Sequence, residues 1–396
     1  MKKYILSFVA LALLWSCQTD EQYEDLNRDP KNPTQVDPAY LFTAGTVSLA
    51  DQLATPNVNR NISRFISQYL TATTYLDEPN YDLTNRGIPE NFWSEIYRDV
   101  IFDLQNAKQL IAESTELTQA QKDARTGQIE VIEIYAWQVL VDTFGNVPYT
   151  QAVNATEFPL PAYDDAGAIY EDLITRIEAA DALLAAGQGF TGADVIYHGD
   201  MAKWMKFANS LQLRLGMRLA QVPGYESLSV STTEDAITDG VFTSNSDNAV
   251  VVYQSNPPNT NPLWEDLVQS GRSDYVAANT LVDVMNELDD PRRDEYFAEN
   301  LGEDTYVGGI YGGSNSYQLY THVGARLLDP TLPGILLDYA EVEFHQAKAA
   351  ELAAYTIAGS AQEHYNQAIT ASILYYGGTE AQAAAYIAQP AVSYDS

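Results

Sequence analysis

The sequence predicts a mainly α-helical protein in which tetratricopeptide-like helical hairpins form a scaffold with long loop insertions and a few short strands. Three observations predict it. Apolar residues recur at spacings of three and four through several segments of about twenty residues. Glycines, a proline and a capping box stop and start those segments. The stretches between them are polar and aromatic, with clusters of Asn, Gly and Pro.

In chain order, residues 1–17 read as a signal peptide with a lipobox. Lys2 and Lys3 precede an apolar run, Tyr4 to Leu14, that is too short to span a bilayer as a helix. Leu14-Trp15-Ser16-Cys17 places a small residue before the only cysteine of the chain, with Trp15 an unusual occupant. Cleavage there makes Cys17 the lipidated first residue, and buried acyl chains anchor it at roughly 0.8 kcal/mol per methylene. The competing reading is a cleaved secretory peptide with an incidental cysteine. Residues 18–38 are acidic and extended, and nothing in Gln18 to Asp25 can form a core, so they read as a tether. Residues 39–396 read as one helical domain.

Within that domain, Trp93, Ile96, Tyr97, Val100, Ile101, Leu104, Ala107 and Ile111 form one helical stripe over 91–112, and a partner helix is expected over 119–143. A second pair has Ile169, Tyr170, Leu173, Ile174, Ile177 and Leu184 on one member, stopping near Gly187. Trp204, Ala208, Leu211, Leu215 and Leu219 line the other, which Pro223 ends. Arg214 and Arg218 fall near its carboxyl end, where a cation favours the helix dipole. The third pair is expected over 333–355 and from the capping box Ser360-Ala361-Gln362-Glu363 to Gly377 and Gly378. Short strands are expected at Val250–Tyr253 and Gln318–Thr321.

The formal charge is −33, and it grows two units more negative when Lys2 and Lys3 leave with the signal peptide. Such a surface repels phosphates and anionic lipid head groups, so nucleic acid is not a partner. Gly187 to Gly192 satisfies G-x-G-x-x-G but follows a helix, where the dinucleotide fingerprint needs a strand, so it reads as a helix stop and turn. No cofactor motif occurs, and Glu341 with His345 reads as a packing pair rather than a metal site. With 54 acidic residues, two carboxylates facing one another across a cleft would make a glycoside hydrolase. No acidic pair stands out in the loops. There the chain offers tyrosine, tryptophan and asparagine, a mixture that stacks on sugar rings and hydrogen-bonds their hydroxyls without cleaving them.

Two aromatic regions compete for the ligand. The first spans Thr71 to Tyr81, after a helix containing Ile62, Phe65, Ile66 and Tyr69, and offers Tyr75, Asp77, Asn80 and Tyr81. The second offers Asn261, Trp264, Arg272, Tyr275, Tyr311 and Tyr317. Trp93 and Trp204 lie on helical stripes and belong to the core.

Several segments together resemble the SusD/RagB outer-membrane lipoproteins of Bacteroidetes. They are Asn27 to Thr34 after the lipidated cysteine, Asp142 to Tyr149, Trp204 to Leu215, Asp289-Asp290-Pro291-Arg292 before Tyr296-Phe297, and Asp338 to Phe344. The resemblance implies a SusD-like fold, display on the cell surface, and a SusC-like TonB-dependent transporter as partner. It further implies a non-catalytic role, binding an oligosaccharide or, in some relatives, a peptide. Members of that family continue with a further carboxyl-terminal segment, which this chain is expected to lack; a helical face is then left bare.

Overall fold

The computed structural model describes residues 36–395, so the signal peptide, Cys17, most of the tether and the Asn27–Thr34 motif lie outside the described residues. Helix α1, Pro38–Ala54, opens with proline at its first turn and buries Phe42, Gly45, Thr46, Leu49 and Ala50. A Cβ on Gly45 would stand 3.0 Å from Leu104 Cγ, so the glycine permits the close approach of α2, Phe102–Glu113. Helix α2 continues Ile88–Ser94 through a wider π-helical segment, Glu95–Ile101, and Ile96, Val100, Ile101, Leu104, Ala107 and Ile111 are wholly buried, as their spacing predicts.

Four longer helices follow: α3 (Gln119–Phe144), α4 (Ala166–Leu184), α5 (Met201–Arg218) and α6 (Glu226–Asp239). For the first two expected pairs the broadest interfaces lie elsewhere. Helix α3 has its broadest interface with α4, and α5 with α6, while α2 packs mainly on α1. Helix α6 carries no apolar stripe; it buries Ser229, Thr232, Thr233 and Ala236. Ser229 Oγ donates to Gly216 O at 2.6 Å, and a Cβ on Gly216 would lie 2.6 Å from Thr233 Oγ1, so this hairpin closes on small side chains.

The expected helix over 333–355 starts later. Strand β4, Gly334–Leu337, runs antiparallel to β2, Ala249–Val251, Asp338 caps the Glu341 amide at 2.7 Å, and α8 runs over Tyr339–Glu351. Asn279–Glu287 supplies α7 before it. Helix α9, Ala361–Tyr375, opens with the predicted capping box and pairs with α8. It ends where the Gly378 amide returns to Ile373 O at 2.9 Å with Gly377 at φ +86°. Helix α10, Glu380–Ile387, follows, and its Ala383 and Tyr386 join Val392 in a cluster with Ile369 and Ile373 of α9.

Charge pairs tie the hairpins together. Glu133, 1% exposed, takes Lys108 at 2.5 Å and Arg176 at 3.1 Å, linking α2, α3 and α4. Burial would raise its carboxyl pKa; the two cations and the hydrogen bonds of Lys108 and Trp137 hold it below the usual range. Arg214 and Arg218 do more than meet a helix dipole: Arg218 pairs with Asp142 at 2.9 Å, and Arg214 grips Glu341 from α5 to α8. Trp204 is fully buried, donating from Nε1 to Asp194 Oδ2 at 2.7 Å.

Candidate ligand-binding site

The helix expected around Ile62 to Tyr69 is a single turn, Ser63–Ile66, because Gln68 adopts φ +57° and the chain straightens into β1, Leu70–Ala72. That strand pairs antiparallel with β3, Tyr275–Ala277, setting Leu70 opposite Ala277 and Ala72 opposite Tyr275. Beyond it, the Thr73 amide donates to Asp274 O at 2.9 Å and Thr74 Oγ1 to Asp274 Oδ1 at 3.3 Å. Exposed Arg272 reaches the same carboxylate at 3.4 Å. The two stretches that compete in the sequence are thus neighbours in space.

The chain then folds through a tight turn, Glu78–Asn80, with Tyr81 in the left-handed region at φ +62°. Buried Glu78 holds the Arg86 guanidinium, which lies over the Tyr75 ring at 5.1 Å from its centroid. Asn85 Nδ2 donates to Asp77 Oδ2 at 3.4 Å. Asn80 Nδ2 donates to Leu76 O at 2.7 Å and Gly312 O at 3.0 Å, drawing in the loop that carries Tyr311. The rings of Tyr81 and Tyr311 are 6.2 Å apart, and Tyr311 donates to Phe65 O at 2.6 Å. Burial, and then its contact with Tyr81, pushes the Tyr311 phenol upward, whereas Tyr81 is lowered by its contact with Tyr311 and by the amide that Gln68 donates to it. Tyr75 is 57% exposed and Tyr81 54%, although Arg86 packs on the first ring and Tyr311 against the second.

The loop itself is stitched to β3. Gly309 N donates to Ala277 O and Asn279 N to Gly309 O, each at 2.8 Å, and Asn279 Oδ1 accepts the Tyr311 amide at 2.9 Å. Asn315, nearly buried, donates to Ala72 O and Ile310 O at 3.0 Å.

Tyr75, Asp77, Asn80, Tyr81 and Tyr311 therefore come together, with Arg272 tied to their rim. Tyr317 stacks instead on His322, centroids 3.8 Å apart, in a 3₁₀ turn (Tyr317–Leu319) where a strand was expected. Asn261 is buried: its Oδ1 caps Leu263 N and its Nδ2 donates to Leu332 O, both at 2.8 Å, so it is spent on the backbone. Trp264 is half-buried at the end of the turn Asn261 caps, and Tyr275 is buried with its hydroxyl on Pro56 O at 3.2 Å.

Sequence reasoning missed a cleft of about 550 Å³ beside Tyr69, at the opposite end of β1. Its walls include Arg64, Asp290, Arg292, Tyr296 and Tyr376. The signal in the sequence was the tyrosine excess, 27 against 12 phenylalanines. Asp290 is bound bidentately by Arg292 at 2.8 and 2.5 Å. Tyr296 and Tyr376 meet edge to face, 4.7 Å between centroids. Among the described residues no group of three or more His, Cys, Asp or Glu gathers at metal-binding distance. His345 lies 3.3 Å from Glu341, whose oxygens are taken by Arg214.

A family model described as starch-binding, associating with outer membrane, matches residues 30–396. The chain belongs to the SusD-like family. Solved SusD-like structures share the fold. A chitin-binding SusD homologue from Flavobacterium johnsoniae superposes with a TM-score of 0.73 at 23% identity, covering 88% of this chain and 73% of that one. A SusD-like protein of Bacteroidetes gives 0.73 at 21%, covering 91% and 83%. A SusD homologue from Bacteroides uniformis gives 0.72 at 22%, covering 89% and 74%. No curated protein matches the chain by sequence. Among the described residues of this SusD-like chain, no helix is long and apolar enough to cross a membrane.

Proposed function

We propose that this SusD-like protein is a non-catalytic, lipid-anchored binder that captures an oligosaccharide at the cell surface and passes it to a SusC-like TonB-dependent transporter. The observation that carries the reading is the pair of exposed rings, Tyr75 and Tyr81, presented on a hydrogen-bonded base. Arg86 packs on the Tyr75 ring and Tyr311 against that of Tyr81. Exposed phenol faces with fixed backbones suit the apolar faces of sugars, since little side-chain or loop order is lost on binding. Asp77 and Arg272 stand at the rim to meet hydroxyls. The family's description and the chitin-binding relative support a carbohydrate ligand; Ser16-Cys17 supports the anchor at the outer membrane.

The non-catalytic reading has support in the cleft, where the lining carboxylate, Asp290, is neutralised by Arg292 and, among the described residues, no second acid lines the cavity. A peptide ligand would call for free amide side chains, and Asn80 and Asn261 have theirs on backbone carbonyls.

Affinity electrophoresis in gels containing soluble starch or glycol chitin tests the reading. Retardation of the wild type, weakened in Tyr75→Ala and Tyr81→Ala with melting temperatures within about 1 °C, is expected because both rings are exposed. Unchanged retardation in both variants would move the site elsewhere, and absence of retardation by any neutral or acidic glycan would remove the function.

A further inference from the structure

We infer that the cleft beside Tyr69 is a subsite for a sugar residue bearing a carboxylate, which Arg64 binds; this rests on the oligosaccharide reading above. Arg64 Nη1 donates to Ala54 O at 2.7 Å, the final residue of α1, where a cation meets the negative end of the helix. That bond uses one of five guanidinium donors. Among the described residues, no carboxylate lies within ion-pair distance of Arg64. Acidic residues outnumber basic ones 54 to 21 in this chain, and the other arginine of the cleft, Arg292, is fully engaged by Asp290 and Ser372.

A sheltered guanidinium without a counter-ion is costly, and burial lowers its pKa, so an anion entering from solvent gains what the fold has withheld. The planar fork suits a carboxylate held by two parallel hydrogen bonds. Around it, Tyr69, Tyr296 and Tyr376 provide ring faces and hydroxyls, the same surface a neutral pyranose uses. The volume admits a short stretch of oligosaccharide. Repulsion from the acidic surface is screened beyond about 8 Å at physiological salt, so the local cation decides the sign at the cleft.

Isothermal titration with tri-galacturonate and tri-mannuronate, each against its neutral methyl ester, tests the assignment. A hydrogen-bonded charge contact of this kind predicts a preference for the acid of about tenfold or more. The preference should fall to near unity in Arg64→Gln and should persist in part in Arg64→Lys. Equal affinity for acid and ester in the wild type, no binding of either acid, or a preference that survives Arg64→Gln would overturn it. Should Arg64→Gln fail to fold, the wild-type comparison and Arg64→Lys still decide. Neutral glycans retained through Tyr75 and Tyr81, with no acid preference, would defeat this inference alone and leave the loop site standing.

Discussion

Replacing Glu341 with glutamine should cost stability in a manner that depends on pH. Arg214 Nε and Nη2 donate to its two oxygens at 2.6 and 2.9 Å, Nη2 also reaches Leu336 O at 3.1 Å, and the guanidinium lies 4.9 Å from the Tyr135 ring centroid. Glutamine keeps one acceptor and loses the charge. Sheltered bonds to charged groups contribute about 1.5–3 kcal/mol each, but the Glu341 side chain is 40% accessible and water screens part of the attraction. A net loss of about 2 kcal/mol at neutral pH follows. With an unfolding entropy near 2.1 cal/mol/K per residue over roughly 360 residues, the melting temperature drops by about 3 °C.

The sign with pH runs from the carboxyl's own shift. Burial raises its pKa, yet Arg214 and His345 lower it further, to about 2 against an ordinary 4.5. A depressed acid stabilises the fold above its unfolded value and ceases to as pH falls through its folded value. The gap between wild type and Glu341→Gln is therefore full at pH 7 and shrinks between pH 4.5 and 2, with more than half of it gone by pH 3. Scanning calorimetry of both proteins across this range reads it directly. A gap that stays flat from pH 7 to 3, or is absent at pH 7, would refute the reasoning.

Lys108→Met strips Glu133 of its nearest cation and leaves a buried carboxylate with Arg176 alone, so urea unfolding should show a loss of about 3 kcal/mol. Adding Glu133→Leu to that variant should recover part of the loss, because the stranded charge is gone. At the site, a Cβ on Gly308 would fall 2.3 Å from Asn279 Cα, so Gly308→Ala should pull the Tyr311 loop off β3. Glycan retention in affinity gels is then expected to fall severalfold while far-ultraviolet circular dichroism, dominated by the helices, stays near that of the wild type.

Where packing follows apolar periodicity, the sequence is legible: the stripe from Ile96 to Ile111 and the Ser360 capping box appear where their spacing puts them. Helices α1 and α6 escaped because their contacts use Gly45, Gly216, Ser229 and Thr233, whose value lies in what they leave room for. The third hairpin, α8 with α9, was paired correctly, but the broadest interfaces of the first two pairs were misjudged, since stripes say which face is buried but not against what. In the site, the aromatic loops at Tyr75–Tyr81 and Tyr311 were visible as composition. Their meeting was not, as it depends on β1 and β3 finding each other. Asn261 before Pro262 carries the signature of a helix cap as much as of a sugar contact, and the cap is what it makes. Arg64 gave no signal, because a lone arginine in a helical stretch looks like surface.

The β1–β3 pairing joins segments some two hundred residues apart through three residues on each side. So slender a long-range seam closes late as the chain folds and opens early when it loosens, well before the helical hairpins exchange their amides. Deuterium uptake should accordingly be fastest at Thr73, Gly309 and Tyr311 and slow down when a glycan bridges the seam. The grip on the ligand and the local firmness of the protein would then be one quantity seen from two sides.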